Sequence, residues 1–439
     1  MLLLEGAAIL EMATEWAGND CLVRCGAGPC WGTVRASHPP RGRSSTTMTT
    51  TSSEPTARLI DEELTRRAVE LVRTGTTDCA AAVLRVPLAY YRDGDVLGRE
   101  RAEILEVTPL ALVPTAQIPA AHDFVVREVL GRSVLVSRGD DGVARAFLNY
   151  CRHRGARPAE GCGNTRRHAC PYHAWTYDSA GQLVGISGAD GFTGIDPAQH
   201  GLVELPSEER HGFVWVVLTA GVGIDVAAHL GPMDDELGRW DYASYGYLTE
   251  REFPAAVNWK NGLEAFAEGY HFPYVHGQSV IGMNTVANTS THDAFGLHHR
   301  LGFPLNSIAA LAEDPGGDWN PRSQLGVIYW IFPNLVLANS PVGVEIIDIL
   351  PGPDPVSCVV RHGWMATTPW DDEDGRSGYE AIYELVHAAV RDEDFTMLPS
   401  CGDGVRNAQH DHMLIGRNEI GVQHLIRTLA GRLGIDLGE

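Results

Sequence analysis

The sequence predicts an α+β chain in two parts: an antiparallel β domain, then a domain in which helices pack on a second antiparallel sheet. Two patterns carry this expectation. From residue 124, short β-rich runs alternate with turn residues, and two glycine-rich loops each set a Cys close to a His. Beyond residue 240, longer apolar strands alternate with amphipathic helices. With 439 residues, 44% of them hydrophobic, the chain can bury two such cores.

Residues 1–55 are expected to be a disordered extension, because Pro39-Pro40-Arg41-Gly42-Arg43 and the Ser/Thr run after it cannot bury a core. Met48 is an alternative start, which would leave the residues before it outside the native protein. Cys21, Cys25 and Cys30 match no common metal-site spacing. Residues 56–109 form a helical part, with helical periodicity over residues 60–73, expected to pack on the second domain. The β domain is assigned to residues 110–220, with strands at 124–130, 133–137, 144–148 and 212–218. Gly131-Arg132 and Gly139-Asp140-Asp141-Gly142 supply its turns. The second domain is assigned to residues 221–439. Residues 221–240 are its connection, 258–274 a helix, and 327–332, 335–339, 344–350 and 358–365 strands. Residues 377–398 and 419–433 read as amphipathic helices.

Charge and composition exclude several classes. A net charge of −22 argues against nucleic acid and would suit a basic redox partner. No run reaches the roughly 18 to 20 apolar residues of a membrane helix. Met1-Leu2-Leu3-Leu4 is broken by Glu5 and lacks the flanks of a secretory signal. Nine cysteines, an odd number spread over a long chain, do not make a disulfide framework. A cytoplasmic, reducing location is expected.

The two loops are Cys151-Arg152-His153 and Cys170-Pro171-Tyr172-His173. One Cys and one His from each loop is the ligand set of a Rieske [2Fe-2S] cluster, with two thiolates on one iron and two imidazoles on the other. Neutral imidazoles raise the reduction potential, which suits a centre fed by a low-potential ferredoxin. Gly155, Gly161 and Gly163 fit loops that wrap a cluster. A structural zinc site is the alternative, but the spacing is wrong for a zinc finger.

A second candidate lies in Glu264-Ala265-Phe266-Ala267-Glu268-Gly269-Tyr270-His271-Phe272-Pro273-Tyr274-Val275-His276. Two His with nearby carboxylates suggest the facial triad of a non-haem Fe(II) oxygenase. His271 and His276 would lie about 140° apart on an ideal helix, so a distortion is needed between them, and Pro273 is placed to supply it. The third ligand should be a carboxylate distant in sequence. The apolar stripe Ile382, Leu385, Val386, Ala389, Val390 continues onto Glu393 and Asp394, and periodicity does not separate the two; Asp392 falls on the opposite face. Asp411, in His410-Asp411-His412, is a rival expected to be a loop.

The context of both sites resembles one family. Asn149-Tyr150-Cys151-Arg152-His153-Arg154-Gly155, Cys170 through Asp178, and Gly181-Gln182-Leu183 resemble the Rieske domain of bacterial ring-hydroxylating oxygenases, over residues 110–218. Asn258-Trp259-Lys260, Glu264, Glu268-Gly269-Tyr270-His271 and His276 resemble the mononuclear iron motif of the same terminal oxygenase α subunits. The resemblance selects Asp394 over Glu393 as third ligand. It implies a [2Fe-2S] cluster and mononuclear Fe(II), O2 and a small organic substrate, and electrons from a ferredoxin or flavin reductase. It also implies a homotrimer (α3, with α3β3 possible). There an acidic residue, here Glu268 where many members have Asp, links His173 of one subunit to His271 of the next. Asn258 and Tyr270 are expected to support the iron, and Trp175 to pack over the cluster. Phe266, Phe272, Phe295, Tyr329 and His292 are candidates for a substrate cavity. The expected activity is hydroxylation of an aromatic or related substrate. The alternatives are monooxygenation or N- or O-demethylation of a quaternary amine, methyl ether or alicyclic compound; an electron carrier using only the cluster; and a binding protein that has lost its iron. The motif leans slightly towards the α-only trimers, including those acting on quaternary amines.

Overall fold

The computed structural model describes residues 54–438 except 312, 315, 318 and 371, with only the backbone of residues 54–61 and 280. The expectations for residues 1–53, including Met48 and Cys21, Cys25 and Cys30, lie outside the described residues. The first helix, α1 (Glu54–Thr74), takes in the last two residues assigned to the extension. Its Leu64 and Ala68 are buried against the second domain. The chain continues through β1 (Leu84–Pro87) and a π-helical stretch, Glu100–Leu105.

The β lobe contains β2 (Leu110–Pro114), β3 (Asp123–Val129), β4 (Arg132–Arg138), β5 (Ala144–Leu148), β6 (Cys162–Asn164), β7 (Arg167–Ala169), β8 (Thr176–Asp178), β9 (Leu183–Gly185), β10 (Glu204–Leu205), β11 (Ser207–Arg210) and β12 (Phe213–Val216). They pair antiparallel in three sheets, ordered β10-β5-β4-β3-β6, β11-β12-β2 and β7-β8-β9. Leu130 and Gly131 join β3 to β4 with φ of 51° and 79°, the double positive φ that a two-residue hairpin turn demands.

The second part is built on a seven-stranded antiparallel sheet. Its strands are β13 (Gly246–Ala255), β14 (Thr291–Phe295), β15 (His298–Pro304), β16 (Leu325–Ile331), β17 (Leu335–Asn339), β18 (Gly343–Pro351) and β19 (Cys358–Ala366), ordered β13-β19-β18-β17-β16-β15-β14. Every residue of β16 is buried. Leu325, Val327, Tyr329 and Ile331 enter one core, Ile328 and Trp330 the other, so a strand of period two reads as a continuous apolar run. Helices α2 (Trp259–Glu264), α3 (Glu373–Ala388), α4 (Phe395–Asn407) and α5 (Ile420–Arg432) belong to this part, and β20 (His412–Ile415) pairs back with β1. Trp259 and Leu263 of α2 and Val422, Leu425 and Ile426 of α5 share one core with Trp330, Ile347 and Ile349.

Two expected helices are cut. The helix expected over 258–274 stops at Glu264 and resumes only as the single turn Phe272–Val275. The one expected over 377–398 is interrupted by a π-helical turn, Ala389–Asp394, before continuing as α4. Among the described residues no helix is long and apolar enough to cross a membrane.

Candidate metal centres

The cluster loops lie at one end of the β lobe, with Cys151 and Cys170 buried in a core of Leu135, Phe147, Trp175, Tyr177 and Leu183. Each loop is closed on itself. Cys151 N–H donates to Ala156 O (2.9 Å) and Gly155 N–H to Cys151 O (2.9 Å); Cys170 N–H donates to Trp175 O (2.8 Å) and Ala174 N–H to Cys170 O (2.9 Å). Gly155 (φ 79°) and Ala174 (φ 54°) make these reversals. The His153 and His173 rings approach to 4.6 Å. Trp175, expected to pack over the cluster, stacks on His153 at 5.1 Å. Among the described residues, the buried Nδ1 of His153 has no hydrogen-bond partner. Two buried thiols and two converging imidazoles, one with a waiting nitrogen, are donors that fit a Rieske cluster. The Tyr177 hydroxyl donates to Cys151 Sγ (3.3 Å) and accepts from Arg152 N–H (2.9 Å). A donor on a cluster thiolate stabilises the reduced state and so raises the potential.

At the second site the ligand atoms of His271, His276 and Asp394 lie within 4.8 Å of one another. Asp394 Oδ1 is 3.5 Å from His271 Nε2 and 3.1 Å from His276 Nε2. The opposite ring nitrogens are held: His271 Nδ1 by Glu268 (2.5 Å) and His276 Nδ1 by Glu393 (2.6 Å). A carboxylate behind each His fixes the ring and turns Nε2 inward, which is how metal-ligating imidazoles are oriented. The field favours positive charge. Burial opposes protonation of His271, yet Asp394 and Glu268 lift it to about 10. His276 is raised against its burial by Asp394 and Glu393, and Asp394 is held below its usual range, despite burial, by the two imidazoles. Two imidazoles and one carboxylate converging on a buried point fit a facially ligated Fe(II).

Local structure explains the five-residue spacing of the His pair. Glu268 accepts from the backbone N–H of Tyr270 and of His271 (3.1 Å). A continuous helix would have sent those donors to Phe266 and Ala267. The break therefore lies upstream of Pro273, which instead opens the single turn Phe272–Val275, where a missing N–H costs nothing. His271 and His276 bracket that turn.

Other expected residues are placed differently. Asn258 is buried, but its Oδ1 accepts from Lys260 N–H (2.9 Å) and its Nδ2 donates to Tyr91 O and Pro355 O (both 2.6 Å), so the amide caps α2 rather than reaching the His–Asp cluster. Tyr270 is exposed, its ring against Tyr274, and touches the site through its backbone N–H. Phe272 packs on both His rings, at 4.9 and 5.8 Å. Phe266 is core, and Phe295 packs beside the second core. Tyr329 donates to Glu236 in the second core (2.8 Å). His292 bonds Ser290 (3.0 Å) and faces His299 (3.4 Å). Asp411 is exposed, and among the described residues its carboxylate pairs only with the neighbouring His412 side chain, away from the His–Asp cluster. Sequence reasoning missed the orienting roles of Glu393 and Tyr177. Glu393 was visible as the neighbour that periodicity did not separate from Asp394.

Family comparison agrees on both parts. Residues 108–195 match the family described as Rieske [2Fe-2S] domain, and residues 238–434 that described as ring hydroxylating alpha subunit (catalytic domain). The glycine betaine monooxygenase oxygenase subunit of Chromohalobacter salexigens is 32% identical over 192 residues, 44% of this chain and 43% of that protein. The carnitine monooxygenase oxygenase subunit of Acinetobacter baumannii is 30% identical over 361 residues, 77% of this chain and 93% of that one. The chain spans about half the length of the first curated relatives it matches. A crystal structure of a quaternary ammonium Rieske monooxygenase with L-carnitine superposes with a TM-score of 0.69 at 20% identity, covering 84% of this chain and 98% of that one.

Proposed function

The chain belongs to the Rieske-type ring-hydroxylating oxygenases as an α subunit, and from that premise we propose that it is the terminal oxygenase of a multicomponent system, oxidising a small quaternary ammonium compound. The observation that carries the oxygenase reading is the convergence of His271, His276 and Asp394, which an electron carrier with only the β lobe would not need. The substrate class rests on relatives named for glycine betaine and carnitine, both quaternary amines.

When bound, the cluster supplies single electrons and the mononuclear iron the oxygen-activating centre. We assign Cys151, His153, Cys170 and His173 to the cluster, and His271, His276 and Asp394 to the iron. Glu393 orients His276 and Glu268 orients His271. The Glu268 carboxylate already grips His271 within its own chain. Its second half, a contact to His173 of a neighbouring subunit, belongs to the proposed homotrimer. Phe272, packed on both imidazoles, shields them from water. The electron donor is a ferredoxin or flavin reductase drawing on NAD(P)H, and the location is cytoplasmic.

Oxygen uptake with a surrogate ferredoxin and reductase, over a panel of quaternary amines, aromatic acids and alicyclic compounds, tests the substrate class. Coupled product from a quaternary amine is expected; coupling only with an aromatic ring would replace that class by ring hydroxylation. Asp394→Ala should lose the mononuclear iron and all turnover while keeping the cluster spectrum. Retained iron would move the third ligand elsewhere.

A further inference from the structure

We propose that the crevice between the two lobes, at Arg101, is a binding site for a small aliphatic carboxylate, separate from both metal centres. Three parts of the chain meet there: Arg101 from the π-helical stretch, the β3–β4 hairpin at Leu130, and β18 and β19 at Leu350 and Val359. The crevice measures about 300 Å³ and is lined by no ligand of the cluster or of the iron. That volume lies at the lower end of small-molecule sites.

The charges in its wall are matched except one. Glu128 holds Arg157 (2.7 Å), and the buried Arg361 holds Asp348 (2.9 Å) and Glu252 (3.3 Å). Arg101 pairs with no carboxylate among the described residues. Its Nη2 donates to Gly352 O (2.7 Å) and Pro351 O (3.4 Å), while its buried Nε has no partner among the described residues. The local sequence explains why carbonyls meet it. In Pro351-Gly352-Pro353 the two prolines carry no N–H, and Gly352 N–H donates to Ser357 O (2.8 Å). The turn therefore fixes the guanidinium and leaves its charge without a counterion. A guanidinium edge with a buried, unsatisfied N–H is suited to a carboxylate, through a charge-assisted hydrogen bond.

The rest of the wall narrows the ligand. Leu130, Leu350 and Val359 offer contact to an apolar body, and no hydroxyl or amide side chain lines the crevice to serve a sugar or a phosphate. A second carboxylate on the ligand would face Glu128 and Glu252. One carboxylate on a short aliphatic chain fits these conditions. Such a ligand touches the hairpin of one lobe and the sheet of the other, so its binding stabilises the folded chain.

The test is titration calorimetry and thermal unfolding of the full-length protein with hexanoate and with its neutral counterpart hexanamide. Hexanoate should bind saturably, one per chain, and raise Tm; hexanamide should do neither. Arg101→Gln, whose amide still reaches the two carbonyls, and Val359→Phe, which fills the apolar wall, should each weaken hexanoate about tenfold or more. Asp394→Ala should bind it as the wild type does. Absence of saturable binding to the wild type, equal affinity for hexanamide, or wild-type affinity in both crevice variants would overturn the proposal. Loss of binding in Asp394→Ala would also overturn it and give the carboxylate to the iron site.

Discussion

At the scale of single residues, two carboxyls in and near the iron site do different work in similar settings. Asp394 faces two Nε2 atoms and stays ionised, whereas Glu264, half-buried a few residues before the first His, has no cation at hydrogen-bond distance among the described residues. Burial, opposed by hydrogen bonds from Asn261 and Tyr91, lifts the Glu264 carboxyl from 4.5 to about 7. The adjacent Asn261 Oδ1 is buried with no partner among the described residues, so a protonated Glu264 has an acceptor waiting once that amide turns over. The folded chain then keeps a proton that the unfolded chain gives up above 4.5. Stability from the neutral acid is full at low pH and is lost as pH rises through about 7. Glu264→Gln, neutral at every pH and able to donate to Asn261, should match the wild type in Tm at about pH 5 and exceed it at about pH 8. A Tm-against-pH curve parallel to that of the wild type would show that Glu264 is ionised when folded.

At the scale of elements, the sites depend on places where regular structure gives way, and these are where sequence reasoning was weakest. The Cys and His of each cluster loop are a few residues apart, so chemistry and spacing were legible together. The strands of three residues around them, β6 to β9, are too short to show a period. Strand β13 was missed because it is a sheet edge that presents Glu250, Arg251 and Glu252. Glu393 and Asp394 were inseparable because the π-helical turn Ala389–Asp394 departs from the 3.6-residue period on which the stripe was extrapolated. Helix α5 shows what holds the His-bearing segment in place. Gly421, in its buried first turn, lies so close to the chain that an added Cβ would overlap the Ala267 carbonyl oxygen and press on the His299 ring at 2.9 Å. Ala267 directly precedes Glu268, so Gly421→Ala should move the turn that positions His271. A loss of about 1–3 kcal/mol in denaturant unfolding is expected, as for overpacking, with reduced mononuclear iron and an unchanged cluster spectrum. Wild-type iron content in the folded variant would show that α5 only fills space there.

At the scale of the whole molecule, the proposed homotrimer would complete each centre from a neighbouring chain. The cluster presents Tyr172 and the half-buried His173 to solvent, and the iron site presents Tyr270 and Tyr274 beside a Glu268 that is already bonded to His271. In that proposal two unlike surfaces meet in a head-to-tail contact, which closes into a ring when the rotation allows. A ring in which the cluster of one subunit serves the iron of the next makes a complementation experiment decisive. Chains carrying Cys151→Ser with Cys170→Ser keep a usable iron site, and chains carrying Asp394→Ala keep a usable cluster. Each should be inactive alone. Co-expressed in equal amounts and randomly assembled, they should recover about a quarter of wild-type turnover, the share of contacts that join an intact cluster to an intact iron. Electron transfer confined within each chain gives no recovery in any mixture. Coupled product formation, normalised to cluster and iron content, separates the two outcomes.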